Sequence, residues 1–272
     1  MVVLITRPGE PGQRLAARLD ALGQTAFWWP AFDLLPPTDP RHVQATLERL
    51  QDFDLVVFVS PMAVRALAGA LGGAKWPSTT RVAAVGGATV HAVHAELPLA
   101  AAHTVIGPPG SDAADGGAEA LWPLLARLDP APQHVLIVRA QSGREWLGQQ
   151  LRQGGAQVEE LEAYRRVAHE PLASDWAAVR AALAGGPESL RGPAVLFSST
   201  EAVAVLTGAL QRASLGPELP GAIALCVHER IAQAASSAGW RDVRRCEAEE
   251  GALLAALAGI AGPGSAVPIP IS

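Results

Sequence analysis

The chain has 272 residues, more than one typical domain holds and comfortable for two of about 130. Hydrophobic residues make up 49% and charged residues 17%, which excludes a disordered or fibrous chain. A net charge of −5 argues against a general nucleic-acid binder, and two cysteines, Cys226 and Cys246, cannot build a disulfide framework or a four-ligand zinc site.

Folding should hide roughly 73% of the extended chain's surface, so no covalent or metal staple is needed. Met1-Val2-Val3-Leu4-Ile5 opens a strand at once, without the basic start of a signal peptide. No window holds about 18 uninterrupted apolar residues, so a soluble, cytoplasmic chain with no membrane partner is expected. After VVLITR come a helix with Leu15 and Leu19 on one face, a turn at Gly23, and the strand TAFWWP. Pro36-Pro37-Thr38-Asp39-Pro40 interrupts the pattern. DLVVFVS is the next strand, and Ser60 with Pro61 starts a helix over 61–71 that puts Val64, Leu67 and Leu71 on one stripe. RVAAVG leads into Val85-Gly86-Gly87-Ala88-Thr89, a tight turn that opens a helix. HTVI, a helix with Leu121, Leu124, Leu125 and Leu128, HVLIVR, and AQVEELEAY follow. His169-Glu170-Pro171 breaks the pattern again before AVLFSS, AIALCV and DVRRC. The tail GPGSAVPIPIS has no periodicity and is expected to be mobile.

Internal repeats decide how these elements group. Residues 56–71, VVFVSPMAVRALAGAL, align without gaps on 195–210, VLFSSTEAVAVLTGAL, with nine of sixteen positions identical at an offset of 139. VLITR at 3–7 matches VLIVR at 135–139 at an offset of 132, which also brings Leu15 onto Leu147, Leu19 onto Leu151 and Gly23 onto Gly155. Strands alternating with helical stretches imply two α/β units with parallel sheets and helices on both faces. The opening strands need partners from the far end. The first domain is therefore expected to be discontinuous, 1–35 plus 168–262, with a second inserted at 36–167 and a mobile tail at 263–272. Two consecutive domains with a break near residue 130 are the alternative.

The search for chemistry is mostly negative. There is no phosphate loop of the G-x-x-x-x-G-K-[ST] kind, no H-E-x-x-H, and no G-x-S-x-G elbow. His91 and His94 stand three apart with no third ligand, as helix-surface residues do. Ligands of open α/β sheets bind at the carboxyl ends of the strands. Those ends carry Thr6 and Arg7, Ser60, Gly86 and Thr89, Arg139 with Arg144 beyond, Tyr164, and Ser198-Ser199-Thr200. Lys75 is the only lysine, so cationic binding falls to arginine, which grips carboxylates bidentately. Two such rims facing each other would suit a large, multiply anionic ligand. Ser60 and Ser199 also read as helix N-caps, and Arg7 and Arg139 as structural ion-pair partners.

V-L-I-T-R-P, F-x-S-P-x-A-V-R-A, A-V-G-x-A-T, V-L-I-V-R followed by G-R-x-x-L, and G-A-x-V-x-x-L-x-A-Y-R-R together resemble the uroporphyrinogen-III synthase family, from Val3 to about Leu257. The resemblance implies two flavodoxin-like, doubly wound parallel-sheet domains joined by a two-stranded linker. It implies a lyase that cyclises hydroxymethylbilane to uroporphyrinogen III, with inversion of ring D and loss of water, in haem biosynthesis. It also implies no cofactor and no metal, a monomer, and a substrate handed over from hydroxymethylbilane synthase. The eight carboxylates of that substrate match an arginine- and amide-lined rim. Tyr164, the only tyrosine, matches the tyrosine of the family's A-Y-R-R segment and is the candidate acid or orienting donor. Thr89 matches the family's threonine after the glycine turn. In the other repeat the chain departs from that pattern, reading Cys226-Val227-His228-Glu229-Arg230, where Glu229 is expected to repel carboxylates. A sensor or binding protein without turnover and a nucleotide-sugar transferase are the rival readings.

Overall fold

The apolar run Val2–Ile5 loses almost all its surface on folding, with Val3, Leu4 and Ile5 at 0% exposure. A strand apolar on both faces belongs in a parallel sheet covered on both sides. The computed structural model describes residues 1–100, 103–108, 117–184, 193–213 and 222–261. The expected mobile tail, 263–272, lies outside them.

The strands in chain order are β1 (Val2–Ile5), β2 (Thr25–Trp28), β3 (Phe32–Leu35), β4 (Leu55–Phe58), β5 (Arg81–Ala84), β6 (Val105–Ile106), β7 (His134–Ala140), β8 (Gln157–Ala168), β9 (Ala194–Phe197), β10 (Ile223–Cys226) and β11 (Asp242–Arg245). The helices are α1 (Glu10–Ala21), α2 (Pro40–Glu48), α3 (Pro61–Leu71), α4 (Gly87–Glu96), α5 (Ala118–Leu125), α6 (Trp146–Gln153), α7 (Ala173–Ala184), α8 (Thr200–Arg212), α9 (Glu229–Ser237) and α10 (Glu250–Ala261).

These elements form two compact units. One is Met1–Asp33 with the described residues from Val167 on; the other is Leu34–Arg166. The first holds a five-stranded sheet in the order β2-β1-β9-β10-β11, with every pairing parallel. The second holds β8-β7-β4-β5-β6, also parallel, with β3 added beside β8. The chain crossings run side by side: the His169 amide donates to the Ala31 carbonyl at 3.0 Å, and Arg165 Nε to the Pro36 carbonyl at 3.0 Å.

Each sheet has a core on both faces. In the first unit Leu4, Val195 and Phe197 pack on one side and Val3, Ile5 and Leu196 on the other. In the second, Val56 and Phe58 face one way and Leu55 and Val57 the other. Fully burying Phe58 or Phe197 contributes about 1.5–3 kcal/mol.

The repeats explain the two sheet orders. Counted by repeat, β7, β8, β4, β5 and β6 stand where β1, β2, β9, β10 and β11 stand, so both sheets follow the flavodoxin order 2-1-3-4-5. Along the chain, β1-β2-β4-β5-β6 and β7-β8-β9-β10-β11 are two successive copies of one five-strand unit. The copies exchange partners: the first two strands of each pair with the last three of the other.

Asp54, just before β4, ties the start of that strand to β7. Its Oδ2 accepts the amides of Gln133 at 2.7 Å and His134 at 2.9 Å. The amide of His134 first, then that of Gln133, holds the carboxyl below the ordinary carboxylate range. A depressed carboxyl stabilises the fold above its unfolded pKa, and that stability is lost as pH falls through the native value. Asp54→Ala should therefore be less stable than the parent at neutral pH, and in urea titrations the gap should begin to close below about pH 4 and vanish only once pH has fallen past the native value.

Candidate functional site

The crossover between β1 and β9, and its repeat between β7 and β4, is where the winding of each sheet reverses direction. At that point helices leave on opposite faces and the carboxyl ends of the strands are open to a ligand. In the second unit, β4 ends at Phe58 and Ser60 caps α3, its Oγ accepting the Ala63 amide at 3.1 Å. The same Oγ lies 3.2 Å from the hydroxyl of Tyr164. Tyr164 is 8% exposed, its ring in the core and its hydroxyl at the rim. A register shift in the β7–β8 pairing, between Arg139 and Ala140, brings Tyr164 opposite Ala140.

The first unit repeats the cap but not the tyrosine. Ser199 accepts the Ala202 amide at 3.1 Å, with backbone angles within about 10° of those at Ser60. Ser198 is half-buried beside it and Thr200 exposed in the first turn of α8.

Other expected site residues are placed differently. Thr6 is completely buried, and its hydroxyl donates to the Leu196 carbonyl at 2.6 Å, so it joins β1 to β9 rather than facing a solute. Arg139, only 12% exposed, turns back onto Glu160, which also takes Arg152 at 3.0 Å. Thr89 is 3% exposed in the first turn of α4. Gly86 caps α4 with φ −174°, an extended geometry open to any residue, and no side chain caps that helix.

Arg7 and Arg144 keep cationic surface. Arg144 is 61% exposed and paired with an equally open Glu119, a partner it can exchange at little cost. The Arg7 guanidinium is half-buried and reaches the Ala248 carbonyl at 3.4 Å. Burial pulls its pKa down, partly offset by Glu250 and Cys246. A desolvated guanidinium gains more from a carboxylate than one in water.

The turn Val227-His228-Glu229-Arg230 resolves the expected repulsion. His228 occupies the position of Gly86, with φ −156°, and its Nδ1 accepts the Arg230 amide at 3.0 Å as the cap of α9. Glu229 is drawn away to Arg245 at 3.1 Å. Burial pushes both thiols, Cys226 and Cys246, up to about 11, so neither is a thiolate nucleophile at neutral pH.

Two glycines escaped the sequence reading. Gly9 caps α1 at φ 71°, and a Cβ on Gly12 would sit 2.0 Å from the Arg7 carbonyl. That carbonyl also accepts Trp28 Nε1 at 3.0 Å. The signal was the R-P-G-E-P-G spacing directly after a strand. Gly12→Ala should cost about 1–3 kcal/mol, read as a lowered Tm, because backbone rather than a flexible side chain blocks the methyl.

Two grooves lie away from these strand ends. One of about 540 Å³, lined by Arg49, Phe53, His134 and Gln157 among others, sits where β7 and β8 begin. Another of about 270 Å³ runs between Trp176, Arg180 and Arg212. Neither holds a residue of the rims. Among the described residues no cluster of three His, Cys, Asp or Glu side chains forms a metal site, and no helix is long and apolar enough to cross a membrane.

A family profile described as uroporphyrinogen-III synthase HemD matches residues 13–255. The uroporphyrinogen-III synthase of Salmonella typhimurium is 32% identical over 268 residues, covering 94% of this chain and 100% of that protein. That of Escherichia coli is 29% identical over 265 residues, with 94% and 100% covered. Among solved structures, a mutant uroporphyrinogen III synthase from Thermus thermophilus aligns with a TM-score of 0.58 at 20% identity, covering 95% of this chain and 97% of that one. The Helicobacter pylori uroporphyrinogen-III synthetase aligns at 0.54 and 14%, covering 94% and 98%. At these identities the structures speak for the fold, two α/β units with parallel sheets. The profile and the Salmonella relative, each spanning most of the chain, speak for kinship: the chain belongs to the uroporphyrinogen-III synthase family.

Proposed function

We propose that this chain closes linear hydroxymethylbilane to uroporphyrinogen III, inverting ring D and releasing one water. Membership of the family over residues 13–255 is the observation that carries this reading. In it the protein is a cytoplasmic monomer that needs no cofactor and receives its substrate from hydroxymethylbilane synthase.

Departure of the terminal hydroxyl as water takes up one proton, and the pyrrole nitrogen's electron pair assists by forming an azafulvene. Tyr164 is the donor. The azafulvene carbon bonds ring D at its already substituted α-carbon, the bond from that carbon to the ring C methylene breaks, and the freed methylene rebonds at the other α-carbon of ring D, whose displaced proton Tyr164 recovers. Left alone the bilane closes without inversion, so holding it coiled is the larger task. In the first unit Arg7 and the amides of the helix starts at Ser199 and His228 hold carboxylates; in the second, Arg144 and those at Ser60 and Gly86 do so.

Incubation with enzymatically generated hydroxymethylbilane tests the reading. The type III isomer should dominate; the type I isomer alone would leave a binding protein without turnover. Arg144→Ala should raise KM about tenfold with kcat nearly unchanged, because it removes a charge-assisted bond to a part of the substrate remote from the reacting carbon. An unchanged KM would remove Arg144 from the site.

A further inference from the structure

We propose that Ser60 is a positioning residue that fixes the direction of the Tyr164 hydroxyl. This rests on the role given to Tyr164 above. A serine hydroxyl has one proton and two lone pairs. One lone pair takes the Ala63 amide at 3.1 Å, which fixes Oγ at the start of α3. The phenol oxygen stands 3.2 Å from the same Oγ. Either oxygen can donate while the site is idle. Once Tyr164 passes its proton to a departing hydroxyl, only one direction remains, with Ser60 donating to the developing phenolate.

Ser60 thus does two jobs through one oxygen, accepting for the helix with a lone pair and donating its proton to the tyrosine. The cap alone does not require the second contact. Ser199 makes the same cap in the other unit, at the same 3.1 Å and in the same extended backbone, and among the described residues its hydroxyl meets the Ala202 amide alone. Moreover, the β7–β8 register shifts by one residue just before the tyrosine and sets Tyr164, not Ala163, opposite Ala140.

The test uses the fact that the chain contains a single tyrosine, so a ¹³C-labelled tyrosine gives one Cζ resonance that reports the bond at its oxygen. Ser60→Gly removes the hydroxyl but leaves a tolerated N-cap residue, and Ser60→Thr keeps both functions. Without substrate, Ser60→Gly should displace the Cζ resonance and Ser60→Thr should leave it in place. With hydroxymethylbilane, Ser60→Gly should lower kcat about fivefold with KM nearly unchanged, the net worth of one hydrogen bond, and Ser60→Thr should restore it. An unmoved resonance in Ser60→Gly would overturn the bond. A moved resonance with wild-type kcat would overturn the positioning role. If the parent protein makes no type III isomer, the function and the role fall together, while the resonance still reports whether the bond exists.

Discussion

Tyr164→Phe should fall about 10²-fold in kcat and release a larger share of type I isomer. The substitution keeps the ring and its packing against Leu161, Ala163 and the rest of that core, and deletes one oxygen, so the fold should be little changed. The residual rate has a physical source, because an electron-rich pyrrole expels its hydroxyl even without a positioned acid and water replaces the donor. The isomer ratio separates the two roles. A slower enzyme that still makes type III has lost only its acid, whereas a slower enzyme that leaks type I has also lost its hold on the chain. Wild-type rate and wild-type ratio together would take Tyr164 out of the site.

Glu160→Ala should lose about 2–4 kcal/mol of stability, read from urea or thermal unfolding. Glu160 on β8 serves two guanidiniums, Arg139 and Arg152. Removing it strands the Arg139 charge at 12% exposure, with no water to take its place fully. Arg152, at 46% exposure, is solvated and loses little. The double variant Glu160→Ala, Arg139→Met should recover most of the loss, since an apolar stem needs no partner. If Glu160→Ala is as stable as the parent, Arg139 is not a structural cation, and its assignment to substrate carboxylates returns.

The contrast between Arg139 and Arg7 shows what sequence reveals here. The strands were legible because apolar runs such as Leu55–Phe58 and Ala194–Phe197 are buried throughout, and the caps at Ser60 and Ser199 were legible because a cap is local. The fate of a strand-end arginine is not local. Arg139 meets a carboxylate twenty-one residues on, and only the β7–β8 register brings Glu160 within reach. Thr6 is consumed by a carbonyl 190 residues away. His228 in place of a glycine looked disruptive by residue type, yet an extended backbone accepts either and the imidazole supplies a cap that Gly86 lacks.

The exchange of strands between the two chain copies has a consequence during synthesis. Val3 pairs with Ala194, so β1 leaves the ribosome about 190 residues ahead of its central neighbour. At 5–20 residues per second that is a wait of roughly 10–40 s. From about halfway through it, the nascent chain already carries β4, β5 and β6, which stand in the repeat where β9, β10 and β11 stand. The first half of the chain could therefore close early into a local five-stranded sheet that must reopen before the final pairing forms. Release of a truncated chain ending near residue 130 should capture that early pairing as a protease-resistant species, while the full-length protein should refold more slowly than its size alone would dictate.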